Sequence, residues 1–226
     1  MYNLRRYPIV LPMAEKYLKA FGETLLMTGS ACLVVFAVGM ALAIVLTVTA
    51  PGGLAPRPRT NRVLSVLVNM FRSIPFIILL VAMLPVTRLI VGTTMGTWAA
   101  VVPLSAHLIP FFARVSQVAL NETDAGLIEA ARAMGCRRWH IVRHVLLPEA
   151  LPALIGGATV TVIAMIGSSA MAGAVGAGGL GDLAIRYGYE RYETAVMFNV
   201  IAILVVLVTV VQFTGERLAR RFDHRR

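Results

Sequence analysis

The sequence predicts an all-α integral membrane protein of five transmembrane helices, and three observations carry that prediction. Hydrophobic residues make up 58% of the 226 and charged residues only 14%, a balance outside the soluble globular range. Uncharged apolar runs recur along the chain at lengths near the roughly 20 residues that carry a helix across a bilayer. One medium-length charged segment, residues 129–148, interrupts them. A single membrane domain follows, not two soluble ones.

Residues 1–20 carry Arg5, Arg6, Lys16 and Lys19 and are expected to form a separate N-terminal interfacial segment. Pro8 and Pro12 argue there against a long helix. The transmembrane body covers 21–216. Its first span, 24–49, is uncharged. It begins too late and runs too long for a cleavable signal and reads as an uncleaved anchor. Pro51, Gly52 and Gly53 close it, and Pro56 and Pro58 keep the next loop extended.

The second span, 63–87, contains Arg72. The uncharged stretch after Arg72 is too short to cross alone, so the helix must begin before it. An ionisable group in a span is a functional candidate; near a helix end it can instead snorkel or cap carbonyls. Both readings of Arg72 stand. Pro75 is expected to kink this helix. The third span, 96–118, is interrupted in the sequence by Pro103 and Pro110, with His107 between them. A lone His in a span is read as hydrogen-bonded inside the bundle. No second His, Cys or carboxylate stands at metal-ligand spacing, so no metal site is expected.

The charged segment, taken with its flanks as the loop 121–149, is patterned. Asn121, Glu122, Thr123 and Asp124 supply helix-capping chemistry. From Asp124, Leu127, Ala130, Ala131 and Met134 share one helical face, with Glu129 and Arg132 on another. Gly135 offers the left-handed conformation that ends a helix. A second apolar stripe follows, Trp139, Val142, Val145 and Leu146, against Arg137, His140, Arg143 and His144, with Arg138 on the apolar side. Pro148 is expected to end this second helix.

The fourth span, 151–177, carries no charge and lies in a stretch of eight glycines between 156 and 181. From Gly173 onward the chain is too Gly-rich for a regular helix, and irregular backbone at membrane depth is tolerated where it is buried or lines a cavity. A phosphate-cradling loop is excluded, because no Lys follows at P-loop spacing. Residues 182–193 read as a loop with Tyr187, Tyr189 and Tyr192 as interfacial anchors. The last span is 194–215, and 217–226 forms a basic tail with five arginines.

The net charge of +10 would suggest nucleic acid in a soluble protein. Here the cations sit in short loops and the tail, so orientation and anionic lipid account for them. Five spans put the termini on opposite sides. With the charged loop 121–149 inside, thirteen Lys and Arg lie near the inner face and seven near the outer. That bias favours an outer N-terminus and a cytoplasmic C-terminus, although the N-terminal cations oppose it.

The spacing E-A-A-x3-G-x9-V-x-L-P over Glu129, Ala130, Ala131, Gly135, Val145, Leu147 and Pro148 resembles the EAA loop of the permeases of ABC importers, whose usual form has Ile at Val145. The resemblance implies the small type I permease fold in a bacterial inner membrane. It also implies that these residues, with Met134, dock a cytoplasmic helix pair into a groove on an ATP-hydrolysing subunit. Beyond the loop, residues 69–80, 87–92, 169–181 and 185–189 resemble the methionine-importer permeases. That implies a homodimer of this chain, two ATPase subunits and an external methionine-binding protein, with lipid around the dimer and no nucleic acid. ATP and Mg would be bound by the partner, leaving this chain without a cofactor and without catalysis of its own. Ser168, Ser169 and Met171 are the expected pathway or gate residues; the family often has Tyr at position 168, and Ser there would widen a gate.

Rival functions lack their chemistry. An ion-coupled carrier would want paired carboxylates in the spans or inverted repeats, and a membrane enzyme a nucleophile with its base; Ser168, Ser169 and His107 do not supply the latter. A related machine carrying another amino acid or a small thioether is the alternative left open.

Overall fold

The computed structural model describes residues 7–223, with side chains from residue 13 onward. Arg5 and Arg6, and the tail residues from His224, lie outside the described residues. Among those described, every regular element is helical: α1 (Tyr7–Thr49), α2 (Pro58–Ser73), α3 (Phe76–Ala82), α4 (Leu84–Val91), α5 (Thr97–Asn121), α6 (Ala125–Ala133), α7 (Arg138–Ile141), α8 (Leu147–Gly173), α9 (Gly179–Leu183) and α10 (Thr194–Arg221). Two π-helical turns, Val142–Leu146 and Ala184–Tyr189, join α7 to α8 and follow α9. Among the described residues, four helical runs are long and apolar enough to cross a membrane, and five if the broken pair α2–α3 counts as one crossing.

Several sequence expectations are corrected here, and most of the corrections involve proline. Residues 7–20 are not a separate segment but the opening turns of α1. Pro8 lies in the first turn, where an N–H has no intrahelical partner to lose. Pro103 and Pro110 do not interrupt α5, which is one helix of 25 residues; both are buried, so packing holds the segment helical where propensity would not. Pro75 does more than kink the second span. Ile74 adopts extended backbone (φ −83°, ψ 122°) and α2 stops before it, as the steric restriction on a pre-proline residue favours.

Pro148 does not end its helix. Residues Arg138–Gly173 form one 36-residue helical run through it. The preceding turn widens to π geometry, with the Leu147 N–H donating to the Val142 carbonyl. A widened turn is the usual accommodation where a regular i→i−4 bond is lost. At the other end, α8 stops at Gly173, short of the expected 177. Residues 182–193 are largely helical instead of a loop, and α10 runs on to Arg221, past the expected end at 215.

The chain divides into two compact units. One comprises the chain up to Cys32, Phe76–Leu104 and Ala164–Thr209. Its core is Ala20, Leu180, Leu183, Val196 and Val200, with Tyr17 and Phe21 packed against them. Here α9 is seated between the start of α1 and the start of α10. The other unit comprises Leu33–Pro75, Ser105–Ile163 and Val210–Arg226. Its core joins Ala43 of α1, Ala119 and Leu120 of α5, Val142 and Leu146 of the π turn, and Ala150 and Leu154 of α8. Glycine lets backbones close in: a Cβ on Gly39 would stand 2.8 Å from Phe112 Cδ1, and one on Gly157 2.6 Å from Val115 Cγ1. Such small-residue contacts are how helices gain packing energy in lipid, where apolar burial gives little.

Candidate functional site

The helix pair α6–α7 is built by local chemistry at both ends of α6. At its start, the Asp124 carboxylate accepts the Gly126 N–H at 2.7 Å, filling one of the orphan donors of the first turn. At its end, Gly135 takes φ +77°. The Gly135 N–H donates to the Arg132 carbonyl at 2.9 Å and the Cys136 N–H to the Ala131 carbonyl at 3.1 Å. These are the two bonds of a Schellman termination, and they need the left-handed residue where the sequence has glycine. The chain then turns into α7.

Tertiary contacts fix which face is shown. Ala131 is buried and Ile128 packs on the core of its unit. The Arg132 guanidinium donates to the Gly53 carbonyl at 3.0 Å, tying α6 to the turn after α1. Outward lie Glu129, Ala130 and Gly135, with Met134 at 76% exposure and Trp139 at 60%. Arg137, Arg138, His140, Arg143 and His144 are exposed beside them, and the His140 and His144 rings stack at 5.9 Å. The surface is thus an exposed apolar strip carrying one acid among several cations.

The expected docking residues are therefore divided. Glu129, Ala130, Met134, Gly135 and Pro148 are exposed, Val145 and Leu147 are half-buried, and Ala131 faces the core. The expectation that Ala130 and Ala131 offer one common face is corrected: consecutive helical residues sit about 100° apart, and the core takes the second. Sequence reasoning missed the Arg132–Gly53 tie. Its partners are 79 residues apart, and no local signal joins them.

The three expected pathway residues do not share a face either. Met171 is 54% exposed, whereas Ser168 and Ser169 are buried. Ser169 Oγ donates to the Ile166 carbonyl at 2.7 Å, so its hydroxyl is used within the helix. Met171 instead continues an exposed strip of α8 through Val160 and Gly167. Just beyond it, α8 unwinds through tight turns, with the Ala174 N–H donating to Met171 and the Gly176 N–H to Gly173. Arg72 is exposed in the last turn of α2, where a cation complements the carbonyl end of a helix. His107 is half-buried on α5. Among the described residues, no three His, Cys, Asp or Glu side chains come together to hold a metal.

The comparisons with known proteins agree with one another. The family model described as "Binding-protein-dependent transport system inner membrane component" matches residues 37–225. The "Probable D-methionine transport system permease protein MetI" of Vibrio cholerae is 49% identical over 94% of this chain and 94% of its own. The "Methionine import system permease protein MetP" of Bacillus subtilis is 43% identical over 80% of this chain and 81% of its own. A solved structure titled "Inward facing conformations of the MetNI methionine ABC transporter" matches with a TM-score of 0.93 at 49% identity. That match covers 94% of this chain and 99% of the other.

Proposed function

Because this chain belongs to the family of binding-protein-dependent transport system inner membrane components, we propose that it is the permease subunit of an ATP-driven importer whose cargo is methionine. The observation that carries the reading is the exposed helix pair, α6–α7, turned at Gly135 in the E-A-A-x3-G spacing. The names of the relatives from V. cholerae and B. subtilis support the cargo. The neighbour titled as a methionine ABC transporter supports a permease dimer joined to ATPase subunits. An external methionine-binding protein completes the assembly and delivers the cargo. The ATPase subunits bind ATP and Mg, and this chain catalyses no reaction.

The α6–α7 surface docks on the ATPase. Glu129 offers a charge-assisted bond at the rim, and Met134 and Trp139 supply the apolar contact. The cations around them call for an acidic groove on the partner. Arg132 and the buried Ala131 transmit motion by holding α6 rigidly on its own unit. ATP binding draws the ATPases together, the docked helices swing with them, and the pathway opens outward as a rigid-body switch. Met171, flexible and polarizable, seals that pathway and yields to a passing side chain, while Ser168 and Ser169 back it from inside the subunit.

The five-crossing topology, N-terminus outside and C-terminus cytoplasmic, is part of this proposal. One unit contains the starts of α1 and α5 with the end of α8, and the other their opposite ends. Up-and-down crossings would gather the ends in that way.

The test is uptake of labelled L-methionine into proteoliposomes containing this chain and its ATPase, with the binding protein outside. Uptake that requires ATP and is competed by methionine but not by histidine or glutamine is expected. Competition by a polar amino acid would discard the cargo and keep the machine. ATP-independent uptake would discard the machine.

A further inference from the structure

The segment after α8 is fastened to α1 by two acceptors that sequence proximity could not supply. The Gly179 N–H donates to Glu23 Oε2 at 2.8 Å and the Leu180 N–H to Thr24 Oγ1 at 2.9 Å. Thr24 is itself oriented, its hydroxyl donating to the Ala20 carbonyl at 3.0 Å. Only glycine permits this approach. Gly178 and Gly179 have φ of +82° and +80°, and a Cβ on either would lie 2.7 Å from Glu23 Oε2 or Thr24 Oγ1 respectively.

The same segment is fastened to the end of α8. A Cβ on Gly181 would collide with the Ala170 backbone and one on Gly173 with the Asp182 N–H, so α8 and α9 meet backbone to backbone around Met171. The Gly96 N–H also donates to the Gly176 carbonyl at 3.0 Å, closing the elbow. Lys19 stands 3.9 Å from Glu23 and is largely exposed, too loose a pair to account for the position of the carboxylate.

We infer that Glu23 is a positioning residue for transport: with Thr24 it clips the glycine elbow of residues 174–179 onto α1. The Met171 end of α8, α9 and the first half of α1 then move as one body. The inference rests on the permease reading and extends it to α1, which carries no part of the docking loop. Without the clip, Met171 loses its fixed place while the docking surface is untouched. Movement of the ATPases is then no longer converted into opening of the pathway.

Two measurements on the reconstituted full assembly test this, with Glu23→Ala, Glu23→Gln and Thr24→Val. The first is amide hydrogen exchange over residues 174–183, which reads the clip without any reference to transport. Loss of a hydrogen bond to a charged group predicts about tenfold faster exchange in Glu23→Ala. Glu23→Gln, whose amide oxygen still accepts from Gly179, should stay within about threefold of wild type. The second is methionine taken up per ATP hydrolysed, expected to fall about tenfold in Glu23→Ala, to be largely restored in Glu23→Gln, and to fall in Thr24→Val, with ATPase copurification unchanged in all three. Unchanged exchange in Glu23→Ala overturns the clip. Faster exchange with normal uptake per ATP overturns the positioning role, as does loss of copurification in Glu23→Ala. Wild-type protein that hydrolyses ATP without uptake would overturn the permease reading, and the exchange result would still decide the clip.

Discussion

Gly135 shows how much one residue can state. Its φ of +77° is open to glycine and costs a β-branched residue roughly 1–3 kcal/mol. Nothing stands within 4 Å of the place a Cβ would take, so the penalty is conformational and not steric. Gly135→Val should therefore still insert in the membrane but misdirect α7. ATPase copurification is expected to fall at least about tenfold and uptake with it; normal copurification would remove the turn from docking. Met171 is the opposite case, a side chain free on its surface. Met171→Ala should leave assembly intact and raise ATP hydrolysis without the binding protein, or alter uptake; no change in either would take it out of the gate. Both residues stood out in the sequence, Gly135 by spacing and Met171 by its place in a stretch that resembles the methionine-importer permeases. That Ser168 and Ser169 turn inward did not, because facing is set by what the helix packs against.

At the scale of elements, α6 is short enough for its caps to matter. Asp124→Ala removes one cap bond and should cost about 1 kcal/mol. Exchange of the α6 amides is expected to quicken about fivefold, with weaker ATPase association; unchanged protection would mean that the core contacts of Ile128 and Ala131 suffice. Arg132→Ala, which cuts the tie to Gly53, should leave α6 helical but reduce uptake per ATP, because a docked helix loose on its own unit transmits less motion. Equal coupling in that variant would place the transmission elsewhere. The ends of α6 were legible, being written in local residue types. The fate of the prolines was not. Pro103 and Pro110 are absorbed by a packed helix and Pro148 by a π turn, whereas the Ile74 and Pro75 step breaks the helix. Propensity is a local preference, and packing outweighs it wherever the freed backbone groups find another arrangement.

For the whole molecule the testable matter is sidedness. Cys136 is exposed beside Gly135, and Cys32 lies within α1, so a Cys32→Ser chain has one reactive thiol on the coupling loop. An impermeant maleimide should label Cys136 in inverted vesicles and not in intact spheroplasts. Labelling in spheroplasts would reverse the proposed orientation. A second prediction concerns packing. Gly215 lies so close to Thr159 that a Cβ would overlap its side chain, so Gly215→Leu should push α10 off α8. Overpacking of this kind typically costs 1–3 kcal/mol, which should appear as a lower thermal midpoint in detergent; an unshifted midpoint would mean that α10 yields without loss.

By itself the sequence determined the class of molecule, the presence of long apolar helices and the short capped helix turned at Gly135. Each of these rests on composition, run length or spacing within about twenty residues, and such signals survive without knowledge of neighbours. Only the tertiary structure decided that Ala131 faces the core while Ala130 faces out, and that Arg132 holds Gly53. It alone decided that Glu23 and Thr24 grip Gly179 and Leu180 across 156 residues of chain. The physical reason is common to all three. A hydrogen bond or a buried face depends on which backbones approach one another, and that approach is settled by the packing of whole helices, which no local stretch encodes.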